Sequence, residues 1–300
     1  MKKKILLTGS SGFLGSYILE FLKNKNYEVI KLGRSVKSDI KIDLSLNKLS
    51  KIDVDYVIHV AGKAHVMPKT EEEKKKFFKV NYIGTKNLLY GLDTPKLQSI
   101  IFISTVAVYG KEVGELIDEE SPLLGNTPYA LSKIQAEQSI INFGITNNIK
   151  TVVLRLPLVT GEKPLGNLRA IIKAIKKGYY FRIGKGDARK SIIAASDIAN
   201  LIPELFDLNG VYNLTDINHP KISEIDSIIG KKYNKRIKSI PIYLIKVIAK
   251  IGDIFYFFPF NSSKFEKLTK NLTFSNKKLF TYIKYRPSNG LSDIVKNLNN

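Results

Sequence analysis

The chain of 300 residues contains no cysteine and only three histidines. Without cysteine, disulfide bonds, thiolate zinc sites and cysteine nucleophiles are all excluded. The histidines, His59, His65 and His219, are too scattered along the sequence to indicate a metal centre, so we expect no metal site. A hydrophobic content of 44% is typical of a globular protein with one large domain or two moderate ones.

Long uninterrupted apolar segments are also missing. Ile240–Phe260 is apolar but is broken by Lys246, Lys250, Asp253 and Pro259, which excludes a transmembrane span. We expect a helix packed against the protein there, in preference to a helix on a membrane surface. The N-terminal apolar run, Ile5–Leu7, is far too short for a signal peptide, so we expect a cytoplasmic protein.

Negative charge is scarce, because 27 acidic residues face 48 basic ones and leave a net charge of +21. Such an excess raises the question of a nucleic-acid or membrane partner. The lysines are spread along the whole chain, however, and the densest runs, 74–76 and 231–238, are typical of helix or turn surfaces. Because no aromatic–basic stripe or binding motif accompanies them, we expect no nucleic-acid partner. We expect only weak attraction to an anionic membrane face.

A glycine-rich turn follows the first apolar run. Lys4–Thr8 suits a buried parallel strand, Gly9-x-x-Gly12-x-x-Gly15 follows at once, and Ser16–Lys23 has helical apolar spacing. Glycines at such a turn let backbone N–H groups approach a pyrophosphate at a helix N-terminus. The arrangement predicts a dinucleotide-binding loop.

Further strands and helices alternate along the first half of the chain. The predicted strands are Lys4–Thr8, Glu28–Leu32, Ile40–Ile42, Val54–Gly62, Ser99–Ser104 and Lys150–Leu156. A helix over Thr70–Leu89 opens with a capping box. This alternation predicts an α/β fold with a Rossmann-like doubly wound parallel sheet.

Beyond residue 157 the pattern changes. A helix from Gly166 to about Lys177 is followed by short strands at Tyr180–Ile183, Ser191–Ile193 and Val211–Leu214. We expect a dinucleotide-binding domain over 1–157, with a return near 190–206. The remainder, 158–300, is expected to form mainly a smaller, interleaved substrate-binding α/β domain.

The helix predicted after Asn126 carries the candidate chemistry. Thr127 can cap it and Pro128 suits its first position, so Tyr129 and Lys133 lie at i and i+4 on one face. A phenol has a pKa near ~10, and a neighbouring ammonium together with the helix N-terminus should lower that pKa. The pair therefore suits a general acid/base for an alcohol–ketone couple. The spacing also occurs at Tyr27/Lys31 and Tyr82/Lys86, so it is weak evidence without its context.

Two residues indicate which dinucleotide is bound. NAD-binding folds place an acidic residue after the second strand, whereas this chain has Gly33 and then Arg34. A guanidinium there favours a 2′-phosphate, so we expect NADP as the cofactor, with NAD as the alternative. Asp43, at the end of the third strand, could bind the adenine. Within the fourth strand, His59 is expected to be a hydrogen-bonded core residue.

Taken together, these motifs resemble the extended short-chain dehydrogenase/reductases, which are the nucleotide-sugar epimerases, dehydratases and ketoreductases. The resemblance rests on the glycine loop, Asp43, Asn81 in Val-Asn-Tyr-Ile-Gly-Thr, Thr105 before Val-Ala-Val-Tyr-Gly, and Tyr129-x-x-x-Lys133. It continues through Arg155-x-Pro-x-Val-x-Gly161, Gly166-Asn167-Leu168 and residues 189–197, and thins after about residue 235.

The resemblance implies specific roles. Tyr129 is the general acid/base, Lys133 binds the nicotinamide ribose and tunes Tyr129, and Thr105 hydrogen-bonds the reacting oxygen. Asn167 and a basic residue, Arg189 or Lys190, would bind the substrate diphosphate; the family's usual arginine aligns with Lys190. The implied cofactor-binding residues are Gly9, Ser11, Gly12, Phe13, Leu14, Gly15, Arg34, Asp43, Leu44, Ala61, Gly62, Lys63, Asn81, Tyr129, Lys133 and Pro157.

The same resemblance narrows the reaction. Sugar 4,6-dehydratases carry an Asp-Glu pair after the threonine, but this chain has Val106 and Ala107, which cannot transfer a proton. Arg34 and the segment Lys63–Met67 resemble the 4-keto-6-deoxy-N-acetylhexosamine reductases of bacterial surface-polysaccharide pathways. We therefore expect a ketoreductase acting at C4 of a nucleotide-diphosphate sugar, with a 4-epimerase that retains NAD as the alternative.

Two other classes stay open. A non-catalytic dinucleotide-binding sensor or scaffold could use the same fold, but such proteins have usually lost the catalytic tyrosine or lysine, which are both present here. Nucleic-acid binding driven by charge would show itself as salt-sensitive binding to mixed-sequence DNA. A homodimer is compatible with the resemblance, since dimers through paired helices are common in the family.

Overall fold

The computed structural model describes residues 2–64, 66–162, 164, 166–255 and 260–296. His65, within the segment compared with the ketoreductases, and Pro259 lie outside the described residues. The strands in the described part are β1 (Lys3–Thr8), β2 (Tyr27–Gly33), β3 (Ile40–Lys41), β4 (Tyr56–His59), β5 (Ser99–Thr105), β6 (Gly114–Ile117), β7 (Lys150–Leu156), β8 (Leu158–Thr160), β9 (Phe181–Ile183), β10 (Ile192–Ala194), β11 (Gly210–Asn213), β12 (Lys238–Ile240) and β13 (Leu272–Phe274).

Helices connect these strands. They are α1 (Phe13–Lys23), α2 (Glu71–Phe77), α3 (Gly84–Tyr90), α4 (Pro128–Asn147), α5 (Gly166–Lys177), α6 (Ala195–Leu205), α7 (Ile222–Lys232), α8 (Ile242–Ile254), α9 (Ser262–Thr269), α10 (Lys277–Phe280) and α11 (Gly290–Lys296). A π-helical stretch, Phe78–Ile83, joins α2 to α3, and a 3₁₀ turn, Val106–Tyr109, follows β5. Among the described residues, no helix combines the length and apolarity needed to cross a bilayer.

The main sheet has seven strands in the order β3-β2-β1-β4-β5-β7-β11, and every neighbouring pair is parallel. Its order reverses between β1 and β4, so the carboxyl ends of these strands border a crevice. The alternation of strands and helices therefore gives the doubly wound, Rossmann-like sheet that the sequence predicts.

Apolar layers cover both faces of this sheet. On β1, Ile5 and Leu7 belong to one buried cluster, which also contains residues of α1 and α6. Leu6, between them, belongs to the opposite cluster, with Leu88 of α3 and Ile140 of α4. All three β1 side chains are fully buried, as expected for a strand covered by helices on both faces.

Two segments pair differently from the sequence prediction. Val211–Leu214 was expected in the smaller domain, but β11 covers Gly210–Asn213 and extends the main sheet beside β7. The crossover through α6 brings it there, and sequence periodicity does not specify a strand's partner. The long loop predicted after Thr105 contains β6, which pairs with β13 near the end of the chain. The division of the chain at residue 157 stays a prediction.

A helix packed against the protein is found in the described part of Ile240–Phe260, but it is shorter than predicted and packs through few residues. The helix covers Ile242–Ile254, after a short strand, and leaves most of its large apolar side chains exposed. Only the small residues Ala249 and Gly252 are buried on it. Most of the large apolar side chains of this helix therefore face solvent and not the protein core.

Candidate active site

The glycine loop turns tightly between β1 and α1. Gly9 has φ +71°, in the left-handed region that favours glycine, and its carbonyl oxygen accepts a hydrogen bond of 2.9 Å from the Gly12 amide. A Cβ on Gly15 would lie 2.0 Å from the Gly9 carbonyl oxygen, so only glycine fits at that position. In the part of the chain that the structure describes, no side chain caps the N-terminus of α1 at Gly12. Its amide groups and positive dipole end are therefore available to an anionic ligand.

This loop borders a cavity of about 820 Å³ at the carboxyl end of the sheet. A volume of that order is typical of a cofactor or ligand site. The predicted site residues that line it are Gly9, Ser11, Gly12, Phe13, Leu14, Gly15, Arg34, Asp43, Leu44, Ala61, Gly62, Lys63, Thr105, Tyr129, Lys133 and Pro157. Parts of the chain from residue 9 to residue 159 thus meet in one crevice.

The two residues before Tyr129 position it at the start of α4, as predicted from the sequence. The Thr127 hydroxyl accepts a hydrogen bond of 3.1 Å from the Ala130 amide, and Pro128 is the first residue of α4. Tyr129 therefore lies in the first turn, where its side chain borders the cavity together with Thr105 from the end of β5. Burial raises the pKa of Tyr129 to about 12, and a side-chain hydrogen bond with Thr105 acts in the opposite direction.

Lys133 lies one turn further along α4, and only 4% of its surface is exposed. Its ammonium donates a hydrogen bond of 2.6 Å to the Ile103 carbonyl oxygen and lies 4.1 Å from the centre of the Phe102 ring. Burial lowers the pKa of Lys133 to about 7, whereas the negative charge of Glu137 raises it. The lysine is therefore held against β5, at the floor of the cavity.

The expected lowering of the phenol pKa by Lys133 is not found in this structure. Burial acts on Tyr129 more strongly than any neighbouring charge, and the Lys133 ammonium is directed at the Ile103 carbonyl. Tyr129 is accordingly a protonated phenol at neutral pH. It can donate a proton without first receiving one.

The two other tyrosine–lysine pairs at the same spacing differ from Tyr129 and Lys133 in their structural setting. Tyr27 and Lys31 lie on strand β2, so their side chains are not in helical register. Tyr82 belongs to the π-helical stretch, and the exposed Lys86 ammonium lies 5.5 Å from its ring centre. Neither pair belongs to the described lining of the cavity.

The far end of the cavity contains the residues expected to choose the cofactor. Arg34 is 77% exposed, and its guanidinium lies 3.8 Å from the Asp43 carboxylate. Asp43 also accepts hydrogen bonds from the Ser45 amide and hydroxyl, at 2.9 and 2.7 Å. These hydrogen bonds, followed by the Arg34 charge, hold the pKa of Asp43 below its usual value against the effect of burial. Because the Arg34 guanidinium is largely exposed, it can contact a phosphate group that is itself accessible to solvent.

Asn81 lies behind the cavity and holds residues next to it in place. It lies in the π-helical stretch, is 1% exposed, and does not belong to the described lining of the cavity. Its side chain accepts a hydrogen bond of 2.7 Å from the Lys63 amide and donates to the Ser132 hydroxyl at 2.9 Å. Asn81 therefore ties the loop after β4 to α4. A direct contact between Asn81 and the cofactor stays a prediction.

The three residues predicted to bind the diphosphate lie apart from the described lining. Asn167 is an exposed residue in the first turn of α5. The Arg189 guanidinium donates to the His219 carbonyl oxygen at 2.8 Å, and the Lys190 ammonium donates to two carbonyl oxygens, of Lys267 and Lys270. Their predicted role in substrate binding stays a prediction.

A buried ion pair behind the site was not identified from the sequence. Glu137 is 2% exposed, and Arg155 on β7 is 4% exposed. The Arg155 guanidinium donates to the Glu137 carboxylate at 2.8 Å and to the Tyr109 hydroxyl at 3.0 Å. Ser104, next to Thr105, also donates to Glu137. The i+4 spacing from Lys133 to Glu137 is the sequence feature that could have indicated this pair. It places Glu137 on the face of α4 that is turned toward β5.

His59 is the hydrogen-bonded core histidine that the sequence predicts. Its two ring nitrogens lie 2.7 Å from the Thr8 hydroxyl and 2.9 Å from the Thr85 hydroxyl. Burial, followed by the positive charge of Lys133, lowers the pKa of His59 to about 3. The imidazole is therefore neutral at physiological pH and links β1, β4 and α3.

A parallel sheet with a glycine loop, and a threonine, tyrosine and lysine facing the same crevice, define a dinucleotide-dependent enzyme of the short-chain dehydrogenase type. A family model described as "NAD dependent epimerase/dehydratase family" matches residues 5–214. The chain belongs to this family, which confirms the resemblance drawn from the sequence and the prediction of an NAD(P)-dependent enzyme.

Individual proteins are similar over most of the chain. The UDP-glucose 4-epimerase of Vibrio cholerae is 27% identical over 235 residues, which cover 74% of this chain and 68% of that protein. The GDP-6-deoxy-D-mannose reductase of Pseudomonas aeruginosa is 26% identical over 244 residues, covering 77% and 80%. In fold, the structure of RMD from Pseudomonas aeruginosa complexed with NADPH matches with a TM-score of 0.74 at 21% identity, covering 99% of this chain and all of that one.

Proposed function

We propose that the chain is an NADP-dependent ketoreductase that acts at C4 of a nucleotide-diphosphate sugar in bacterial surface-polysaccharide biosynthesis. The observation that carries this proposal is that Tyr129, Thr105 and Lys133 line the same cavity as the glycine loop. Reduction of a ketone requires a proton donor at the carbonyl oxygen, whereas oxidation of an alcohol requires a base there. Tyr129, which borders the cavity beside Thr105, is the group that would donate this proton.

The cavity residues fit a bound dinucleotide. The uncapped amides at the start of α1 suit the pyrophosphate, and a side chain larger than hydrogen at Gly15 would close that approach. Arg34, with its largely exposed guanidinium, suits a 2′-phosphate and supports NADP over NAD. When bound, the nicotinamide supplies the hydride, which no side chain of this cavity can provide.

The protein's own residues supply the proton and the electrostatics. Tyr129 donates its hydroxyl proton to the carbonyl oxygen, and the Thr105 hydroxyl orients that oxygen by a hydrogen bond. Lys133, whose ammonium is held at the Ile103 carbonyl oxygen, is positively charged below its pKa of about 7 and would contact the nicotinamide ribose. The buried Glu137 favours the charged form of this lysine. Val106 and Ala107 carry no group that could remove a further proton, which argues against dehydration.

The alternative is a 4-epimerase that retains NAD. The similarity to the UDP-glucose 4-epimerase of Vibrio cholerae supports it, as the GDP-6-deoxy-D-mannose reductase of Pseudomonas aeruginosa supports the reductase. Both activities use the same threonine, tyrosine and lysine and differ in whether the cofactor leaves between turnovers. Both also take a nucleotide-diphosphate sugar, so this substrate class is common to the two candidates.

Anaerobic mixing of the purified chain with NADPH and a UDP-4-keto-6-deoxy-N-acetylhexosamine, followed by nicotinamide fluorescence, tests the proposal. We expect stoichiometric loss of NADPH in the wild type and no loss in Tyr129→Phe. Absence of loss in the wild type, with NAD released when the protein is denatured, would indicate the epimerase. If Tyr129→Phe retained full biological function, a non-catalytic role would account for the chain better.

A further inference from the structure

One side of α8 presents large apolar side chains to solvent. Tyr243, Val247, Ile251 and Ile254 are 65%, 55%, 43% and 77% exposed. Their spacing of three, four and seven residues places them on one side of the helix, and we call these four residues the α8 face. The exposed Leu244 and Ile248 lie at its edge and enlarge it.

The rest of the helix reverses the usual pattern of a surface helix. Its buried residues are the small Ala249 and Gly252, through which α8 packs onto the protein beside α9. An ordinary amphipathic helix buries its large apolar residues and exposes its polar ones. Packing among the described residues therefore does not account for the α8 face. Monomeric proteins seldom leave contiguous apolar patches of this kind without a partner.

Positive charge flanks the face on one side. Lys246 and Lys250 are exposed and, at about 100° of helical rotation per residue, lie along one flank of it. Residues 231–270 contain ten lysines and arginines but only two acidic residues. Of these two, Asp253 accepts hydrogen bonds from Ser262, and Glu266 pairs with Lys270. The segment that contains α8 therefore carries a clear excess of positive charge.

We propose that α8 docks in the plane of an anionic membrane surface. The α8 face enters the boundary between headgroups and acyl chains, while Lys246 and Lys250 extend along it to lipid phosphates. With 13 residues, α8 is about 20 Å long, shorter than the roughly 30 Å hydrocarbon core, so it lies on the membrane and does not span it. This docking goes beyond the weak surface attraction expected from the net charge.

A second copy of the chain fits the face less well. In a two-fold interface, the same patch meets itself, so Lys246 and Lys250 of both copies would approach each other. Two chains of net charge +21 would then be brought together through one of their more basic regions. An anionic lipid surface matches the apolar residues and the charge at the same time.

Flotation of the full chain with vesicles tests the docking. We expect binding to vesicles of phosphatidylethanolamine and phosphatidylglycerol, and weak binding to vesicles of phosphatidylcholine alone. The double variant Val247→Gln, Ile251→Gln removes apolar contact without changing charge, and should lower the partition coefficient at least about tenfold. The variant Lys246→Gln, Lys250→Gln should lower it by a similar factor and weaken its salt dependence.

A matched control replaces an exposed isoleucine elsewhere. Ile145, on α4, is 76% exposed, so Ile145→Gln has the same chemistry and should bind vesicles as the wild type does. Circular dichroism and thermal unfolding check that each variant is folded. The proposal fails if the wild type does not float with anionic vesicles or if the Val247/Ile251 variant floats equally well. It also fails if that variant converts a dimer to a monomer in sedimentation, since the face would then belong to a second copy.

Discussion

Replacement of Glu137 by glutamine tests whether the ion pair behind the active site holds the fold together. Glutamine keeps the shape of the side chain but removes its charge, which leaves the Arg155 guanidinium buried without a counter-charge. Arg155 is 4% exposed and makes its shortest ionic contact, 2.8 Å, with Glu137. Among the described residues, its other hydrogen-bond partners are neutral groups, the Tyr109 hydroxyl at 3.0 Å and the Glu119 carbonyl oxygen at 3.4 Å.

The expected cost follows from this burial. Breaking a buried ion pair by removing one partner costs about 3–5 kcal/mol, because the remaining charge cannot be solvated. We expect Glu137→Gln to lose that much free energy of unfolding. The double replacement Glu137→Met, Arg155→Met should recover most of the loss, since it removes both charges together.

Urea denaturation followed by circular dichroism measures the effect, since the chain has no tryptophan for fluorescence. Asp207→Asn is the control, because it breaks the pair with Lys150, in which the Asp207 side chain is 91% exposed. An exposed pair contributes little, so this variant should unfold like the wild type. A loss of less than about 1 kcal/mol for Glu137→Gln would refute the argument.

Four further predictions concern the site and its pH dependence. Tyr129→Phe should reduce turnover at least about 100-fold while NADPH titration by fluorescence shows unchanged binding, because only the proton donor is lost. Arg34→Ala should weaken NADPH about tenfold or more relative to NADH in the same titration, and equal loss for both would contradict a 2′-phosphate contact. The pKa of Lys133 is lowered to about 7 from 10.5, so the unfolded chain binds more protons between these values, and stability rises with pH there. Lys133→Met should remove that rise in urea titrations at a series of pH values. Asp216 lies outside the described lining of the cavity, is 3% exposed, and accepts a hydrogen bond of 2.8 Å from the Gly290 amide. Burial raises the pKa of Asp216 to about 7 from 3.8, so its contribution to stability is lost as pH rises between these values. Asp216→Asn should therefore gain stability relative to the wild type over the same interval, and a parallel pH profile for the two would contradict the assignment.

Local sequence signals were sufficient for the elements that build the site. The glycine loop needs residues without side chains at a turn, and α4 needs a cap at Thr127 and proline at its first position; both requirements are visible in the sequence. The end of β5 at Thr105 follows from its apolar run. These residues meet because the carboxyl ends of parallel strands share one edge of the sheet.

Features that depend on distant partners could not be predicted in the same way. Strand β11 joins β7, and β6 joins β13 more than 150 residues later, so neither pairing follows from local periodicity. The exposure of the large apolar side chains of α8 depends on which side of the helix packs against the rest of the protein. The pKa of Tyr129 depends on how deeply it is buried, which a spacing rule does not specify.

The direction of hydride flow tests the central claim most directly. The chain would be mixed with NADPH in which both hydrogens at C4 of the nicotinamide are replaced by deuterium and with a UDP-4-keto-6-deoxy-N-acetylhexosamine, and the sugar product examined by nuclear magnetic resonance. The proposed reductase predicts one deuterium at C4 of the sugar for each NADPH oxidised, and none with Tyr129→Phe. Unchanged NADPH, together with interconversion of UDP-sugars that differ in configuration at C4, would contradict the account and identify the epimerase.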